Sequence, residues 1–535
     1  MTGLLCALLL AAAPAAPAAT PAKAAPTAAL LVVPLLPSAQ QTADEDLALA
    51  IQMRATALLI QTGRYADVSV KQILRMAERE GIAPASFKDP AVLSTLAARL
   101  GSSRALSAHV ASAPKGWALE LRDEKTKSPT SIALPAGFAE AVANGGAALA
   151  AAVAKPDAVA LPAKIAPETA HDDAARLLAG CQASLMRQPI GIETPSILGE
   201  SLDTALESCT TAAKLDPNLA AAHAGLALAL ALKGDDAKAV RALVNAKPES
   251  GYLPTWWIAR YWLVTRYQSN EAGTRVLEDA IGMCPGFLLA RGYLAEHLNA
   301  IGKHEEALAA WKKYADVSPK SPFVQARLGY TLARLGKHAE AIEATRAAVK
   351  LDPASRDLTL ELASRLLDSG DLDGARAALE PLAKDPQASG EVLLRLGYVH
   401  LLKSEYDKAE PLLRSAIEKA SRPSEWRTRG RAKLDLAKLM VRRGQKEQAR
   451  AVMLEAIREG YRPLALARPD PDLEELAKAA AAEADKPEKK DVKVDLEPRF
   501  AMPKETSPFA ITAGGDIDPK GKRAAPPPGL ELVRF

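Results

Sequence analysis

The side chains of this sequence that are able to do chemistry are scattered, and none lies in a spacing that a catalytic or metal site uses. The seven histidines include no HExxH pair, the four cysteines form no CxxC pair, and no serine lies in a nucleophile elbow. Gly514, Gly515 and Gly521 do not have the spacing of a phosphate-binding loop. We therefore expect no catalytic residue, no cofactor and no metal site, so that the remaining chemistry is recognition of another molecule.

Tryptophan is placed very unevenly along the chain. Five of the six Trp residues lie between Trp256 and Trp426. Aromatic and arginine side chains supply most of the binding energy in protein interfaces. The net charge is only +4 over 535 residues, which gives no electrostatic reason to expect nucleic acid or an anionic membrane surface as a partner. The expected partner is therefore another protein.

The elements that must position these side chains repeat with a period of 34 residues. One position in each period is a turn residue, and it reads Gly234, Gln268, Gly302, Gly336, Gly370, Ser404 and, after six extra residues, Gly444. Five residues later stand the small residues Ala239, Gly273, Ala307, Ala341, Ala375, Ala409 and Ala449. Such a unit is expected to be two antiparallel helices that approach closely at the small residue.

This pattern resembles the tetratricopeptide repeat (TPR). The resemblance predicts a mainly α fold, a TPR α-solenoid of about seven to eight helix pairs preceded by a small α/β domain. It also implies that one face of the first helix of each unit lines a concave groove. The candidate protein-binding residues on that face are Trp262, Arg266, Asn299, Phe323, Tyr330, Arg334 and Tyr398. Arg266 and Arg334 are expected to pair with a carboxylate of the partner.

The region before the repeats alternates strand-like and helix-like segments. Its residues Leu31 to Leu35, the acidic helix start Ala43 to Asp46, Asp89 to Gly101 and Gly116 to Leu121 resemble the TolB amino-terminal-like domain. That resemblance implies a protein-binding module without an enzymatic site. Because Gly145 and Gly146 interrupt its alanine-rich closing helix, the last part departs from the family pattern.

The termini differ in composition from the middle of the chain. An apolar run from Leu4 to Ala13 is too short to span a bilayer and precedes an A-x-A cleavage pattern at Ala16 to Ala18, which predicts export and no integral membrane segment. The predicted divisions are a signal peptide at 1–18, an Ala/Pro-rich linker at 19–29, the α/β domain at 30–154, a flexible linker at 155–170, the TPR array at 171–460 and a mostly disordered tail at 461–535. The linker predicts that the two domains move separately.

Cys181 and Cys209 lie on the two helices expected to face each other in the first repeat. A disulfide between them is geometrically feasible. The composition favours the alternative, in which both are buried free thiols that serve as small apolar residues.

These observations predict a periplasmic or otherwise exported, non-enzymatic scaffold or adaptor that binds partner proteins in a bacterial envelope assembly, such as a secretion, pilus or motility machine. One alternative is a chaperone or regulator that binds a soluble client transiently. Another is an enzyme that acts on the cell wall, although the sequence contains no paired-carboxylate or nucleophile motif. The sequence does not determine the oligomeric state.

Overall fold

The computed structural model describes residues 27–32, 43–66, 77–100, 105–123, 130–154, 161, 166–187, 202–246, 253–461 and 471–484, with short gaps at 29, 63, 78–80, 84–85, 87–88 and 423–424. The predicted signal peptide, most of the linker and the chain beyond residue 484 lie outside the described residues.

A small α/β region precedes the helical array. Its strands are β1 (Thr27–Ala28), β2 (Leu30–Val32), β3 (Tyr65–Ala66), β4 (Ala105–Ala113), β5 (Gly116–Asp123) and β6 (Thr130–Leu134). Its helices are α1 (Ala43–Gln61), α2 (Pro90–Leu100) and α3 (Phe138–Ala154). The main sheet has the order β2-β4-β5-β6, in which β2 runs parallel to β4 and the other neighbours are antiparallel. β1 pairs separately with β3.

The core of this region lies between the sheet and the pair α1 and α3. Leu119 and Leu121 of β5 pack there with Ile51 of α1 and Leu149 of α3. The two glycines that interrupt α3 have a structural reason. A Cβ atom on Gly145 would lie 2.6 Å from Cδ1 of Ile51, so the glycine lets α1 and α3 approach closely.

In the described part of the chain, eight helix pairs follow and form a solenoid. The first pairs are α4 (Asp172–Arg187) with α5 (Leu202–Leu215), α6 (Ala220–Lys233) with α7 (Asp236–Ala246), α8 (Pro254–Tyr267) with α9 (Asn270–Met283) and α10 (Leu288–Ala300) with α11 (His304–Val317). The remaining pairs are α12 (Pro322–Arg334) with α13 (His338–Leu351), α14 (Arg356–Asp368) with α15 (Leu372–Ala383), α16 (Gly390–Leu402) with α17 (Tyr406–Lys419) and α18 (Trp426–Arg442) with α19 (Lys446–Arg458).

The period seen in the sequence has a direct counterpart in this geometry. Gly336 and the other turn glycines adopt positive φ angles, and Ser404 adopts φ 59° at the same position. This left-handed conformation reverses the chain between the two helices of a pair. The small residues five positions later, such as Ala341 and Ala409, are fully buried where the helices touch. The unit with Gln268 at its turn is the exception, because Gln268 has φ −105° and α9 begins at the Ser269 N-cap.

Within the predicted tail at 461–535, the described residues include one further helix, α20 (Pro471–Ala484). It packs on α19 and α18 through the buried residues Leu473, Leu476, Ala477 and Ala480. In this position α20 covers the apolar face that the pair α18 and α19 presents on the side away from the preceding repeats. An ion pair of 2.7 Å between Arg450 and Glu483 joins α19 to α20.

The α/β region is packed against the array, contrary to the expectation that the two domains move separately. α1 and α3 both contact α4. Asp172 at the start of α4 accepts a hydrogen bond of 2.9 Å from the backbone N–H of Ala139 in α3. Further along, Lys320 donates to the carbonyl of Ala98 at 2.7 Å. Composition predicted a flexible linker, but it carries no information on the packing surfaces on either side of that linker.

The disulfide corrects the expectation of free thiols. Cys181 of α4 and Cys209 of α5 are bonded to each other, with 5.1 Å between their Cα atoms. Gly225 of α6 lies directly against both sulfur atoms, so three helices meet at this bond. Cys284 is a buried free thiol.

Candidate protein-binding groove

The first helices of successive pairs lie side by side, and their side chains bridge from one pair to the next. Asn299 of α10 donates a hydrogen bond of 2.8 Å to the Thr331 hydroxyl of α12. Arg395 of α16 donates to the Ser364 hydroxyl of α14. The surface that α12, α14, α16 and α18 form together is called the groove face below. These side-chain contacts link consecutive first helices along the face.

Three of the seven predicted groove residues lie inside the packing of the array. Trp262 is 4% exposed and belongs to the aromatic core of α8 and α10. Arg266 forms an ion pair with the largely buried Asp236 of α7. Asn299 is 8% exposed and is held by Thr331 and by His304, 3.2 Å away. The predicted cooperation of Arg266 with Arg334 on one carboxylate is not supported, because Asp236 engages the Arg266 guanidinium.

The other four predicted residues keep exposed surface. Arg334 is exposed at the end of α12, while Tyr330, Tyr398 and Phe323 are half-buried. Phe323 packs edge-on against Trp311, with 5.7 Å between ring centroids. The candidate groove thus lies on the second half of the array, where its use for binding stays a prediction.

Arginines that the sequence analysis missed lie over the two groove tyrosines. The Arg327 guanidinium lies 4.7 Å from the Tyr330 ring centroid, and that of Arg365 from the next first helix lies 5.7 Å from the same centroid. Arg431 of α18 lies 5.4 Å from the Tyr398 ring in the same way. Tyr330 and Tyr398 are two repeat periods apart, and each is covered by an arginine of the next first helix. The sequence signal was limited to the tyrosines, because Arg365 lies five residues before its turn residue and Arg431 lies 13 residues before its own.

Buried carboxylates hold these arginines in place. Glu296 of α10, 8% exposed, forms an ion pair with Arg327 through both carboxylate oxygens. Burial by itself lowers the pKa of Arg327, but Glu296 and Glu361 outweigh it and the pKa is raised. Burial raises the pKa of the Glu361 carboxyl, against the opposing effect of Arg327 and Arg365. The charged form of Arg327 is therefore strongly favoured.

A second carboxylate does the same at the other tyrosine. Asp435 is 1% exposed and accepts hydrogen bonds from Arg431 at 3.1 Å and from Lys438 at 3.4 Å. Burial raises the pKa of Asp435, while both cations oppose that shift. Each Arg–Tyr stack is thus a cation held over an aromatic ring by a buried acid. Arginine and tyrosine are residue types that are enriched at the binding hot spots of protein interfaces.

Residues 322–355 and 360–424 match family models described as tetratricopeptide repeat. This chain contains TPR repeats. The fold class, a TPR α-solenoid preceded by a small α/β region, is therefore confirmed. The TPR fold is typically a non-catalytic scaffold for protein–protein interaction.

Solved structures similar to this chain include other TPR proteins. A TPR protein from Parabacteroides merdae has 14% sequence identity and a TM-score of 0.36, covering 49% of this chain and 99% of its own. Yeast Tom70 has 18% identity and a TM-score of 0.36, covering 59% of this chain and 65% of its own. A thermophilic TPR protein from Thermus thermophilus has 22% identity and a TM-score of 0.28, covering 36% of this chain and 96% of its own. No curated protein matches this sequence.

In the described part of the chain, no three His, Cys, Asp or Glu side chains come together as metal ligands would. The helices that are described include none with the length and apolar character needed to cross a membrane.

A buried histidine in the TPR core makes stability depend on pH. His297 Nδ1 lies 3.0 Å from the Tyr261 hydroxyl, and Nε2 lies 2.9 Å from the Asn270 carbonyl oxygen. A carbonyl only accepts, so Nε2 carries the proton and Nδ1 accepts from Tyr261 in the neutral ring. Burial lowers the pKa of His297, with smaller opposing effects that include the charge of Glu271.

We expect the free energy of unfolding to fall as the pH drops below about 6.5, because the unfolded chain then takes up a proton that the folded His297 does not. The slope from this group is at most about 1.4 kcal/mol per pH unit. Urea unfolding of the wild-type protein and of His297→Gln at pH 7.5 and 5.5 measures it. The exposed His338 provides the matched control, His338→Gln. An equal pH dependence in all three proteins would contradict the prediction.

Proposed function

We propose that this protein is an exported, non-enzymatic TPR scaffold whose groove face binds a segment of a partner protein in a bacterial envelope assembly, such as a secretion, pilus or motility machine. The observation that carries the proposal is the pair of Arg–Tyr stacks at Tyr330 and Tyr398. Arg and Tyr are the residue types enriched at binding hot spots. Here both are fixed on adjacent helices before any partner arrives.

The arginines of the Arg–Tyr stacks are already ordered in the free protein, which favours a role in binding over incidental exposure on the surface. Ordering a rotamer-rich side chain at an interface costs about 0.5–1.5 kcal/mol. Arg327 and Arg431 do not incur that cost on binding, because Glu296 and Asp435 already hold them over the rings. Leu402, four residues after Tyr398 in α16, is 46% exposed and offers apolar area to a partner.

The disulfide supports the export part of the proposal. Disulfides persist in the periplasm and outside the cell and are rare in the reducing cytosol. The bond between Cys181 and Cys209 therefore agrees with the apolar run and cleavage pattern at the amino terminus. The α/β region, through its resemblance to the TolB amino-terminal-like domain, would provide a second contact within the assembly.

The groove is tested by cross-linking the full-length protein in its native cells and identifying the proteins that co-purify with it. The test variant is Tyr330→Ala with Arg334→Ala. We expect it to lose envelope partners, with affinity lowered about tenfold or more, because it removes one hot-spot ring and the exposed cation beside it. The matched control is Arg346→Ala, which removes an exposed arginine from the second helix of the same pair.

Recovery of the same proteins with the groove variant would contradict the groove assignment. Recovery of cytosolic proteins alone, together with an amino terminus that still begins at Met1, would contradict export.

A further inference from the structure

An open cleft of about 580 Å³ lies between α16 of the seventh helix pair and α18 of the eighth. It is lined by Glu391, Leu394, Trp426, Arg427, Thr428, Arg431, Gly460 and Tyr461. The six extra residues that break the 34-residue period lie here. α18 is 17 residues long, whereas α16 has 13, and the added turns carry Trp426 and Arg427 beyond the normal start of a first helix.

The cleft has aromatic walls that the fold holds in place. The rings of Trp426 and Tyr461 meet edge to face, with 6.4 Å between centroids. Tyr461 lies flat against α18 because position 430 is glycine, where any Cβ atom would overlap the tyrosine ring. Leu394 of α16 contributes apolar surface between the two helices. The cleft is large enough to admit a large aromatic side chain together with the residues that flank it.

Two cations and one carboxylate line this apolar space, namely Arg427, Arg431 and Glu391. The neighbouring cations Arg429 and Lys433 of α18 are paired with Glu459 instead. Arg427 lies 5.3 Å from the Trp426 ring centroid at the rim, and Arg431 lies deeper. The carboxylate in the cleft, Glu391, is already engaged by Arg395 at 2.7 Å and by the Thr428 hydroxyl at 2.9 Å. Charge complementarity therefore favours an acidic ligand.

We propose that this cleft binds a peptide segment of a partner protein in which a large aromatic side chain is flanked by carboxylates. The aromatic ring enters the cleft beside Trp426, Tyr461 and Leu394, and the flanking carboxylates meet Arg427 and Arg431. The inference rests on the proposed function, since it names the chemistry of the segment that the TPR array receives. It adds a site outside the Tyr330 stack, created by the insertion.

The test uses the full-length protein and fluorescein-labelled heptapeptides, with binding followed by fluorescence anisotropy. The probe is Gly-Ser-Asp-Phe-Asp-Ser-Gly, and the matched peptides replace its two Asp by Lys or its Phe by Ala. We expect each matched peptide to bind about tenfold or more weakly than the probe. The variants Trp426→Ala and Arg427→Glu are expected to lose the probe by a similar factor, and circular dichroism establishes that they remain folded.

The matched control is Arg376→Glu, which reverses a charge on the second helix of another pair and leaves the cleft untouched. Equal binding of all three peptides, or of the probe by both cleft variants, would overturn the proposal. A protein ending at residue 484 that bound the probe much more tightly would also overturn it, since the chain's own tail would then be the occupant.

Failure of this inference is separable from failure of the proposed function. If partners co-purify and are lost with the Tyr330 variant but not with Arg427→Glu, the scaffold function stands and the cleft proposal falls. If the probe binds the cleft while no envelope partner co-purifies, the cleft stands and the envelope assignment falls.

Discussion

Replacing Arg327 by Ala is expected to lower the free energy of unfolding by about 3–5 kcal/mol, because it leaves the largely buried Glu296 without its counter-charge. The same change also affects Glu361. It removes Arg327, the first of the two cations that oppose the rise in the pKa of that carboxyl on burial. It also removes one of the two guanidinium groups that cover Tyr330. Urea unfolding followed by circular dichroism measures the loss.

The control is the double variant Arg327→Met with Glu296→Gln, which removes both charges at similar volume. We expect it to lose much less stability than Arg327→Ala, because no buried charge is left unpaired. Comparing the free energies of unfolding of the two variants therefore separates the destabilisation by an unpaired buried carboxylate from the net contribution of the ion pair. If Arg327→Ala unfolded at the wild-type urea concentration, the buried pair would not be the feature that holds α10 to α12.

The second large effect concerns the disulfide between Cys181 and Cys209. Its sequence separation of 28 residues corresponds to a loss of about 3–4 kcal/mol on removal in the chain-entropy description. We expect the double variant Cys181→Ser, Cys209→Ser to unfold at a lower urea concentration than the wild type. The effect is large because the bond ties α4 to α5 next to α6, at the end of the array on which the α/β region rests.

Reduction provides an independent form of the same measurement. Dithiothreitol should shift the wild-type midpoint to that of the double variant and leave the double variant unchanged. The control Cys284→Ser should respond to dithiothreitol as the wild type does, because Cys284 is a free thiol. A wild-type midpoint that did not respond to reductant would show that the two sulfurs are not bonded in solution.

The helical pairs could be predicted because their signal is local. The turn glycines, the small residues five positions later and the apolar stripes recur at one period, and each is required by contacts within one pair. The helix start predicted at Ala43 to Asp46 coincides with the start of α1, because the signal for a helix start is also read from neighbouring residues.

The groove was predicted less well because its character depends on contacts between pairs. Arg266 has the right position in its unit, but its partner Asp236 lies 30 residues earlier on a different helix. Trp262 lies in the unit that has Gln268 at its turn, where large aromatic residues fill the core. Arg365 and Arg431 were missed because stacking on a tyrosine of another helix leaves no trace within a single unit.

Among the described residues, the α/β region contacts only part of the array, so the helix pairs that it touches are restrained and the later pairs are not restrained by it. A solenoid of stacked helix pairs changes its superhelical pitch through small rotations between neighbouring pairs, because each pair contacts only its neighbours and the rotations add along the stack. The contacts with the α/β region at Asp172 and Lys320, together with the disulfide, restrain the helix pairs that precede α12. We therefore expect any change in the pitch of the superhelix around a ligand to be concentrated in the helices from α12 to α20. These helices carry the Arg–Tyr stacks.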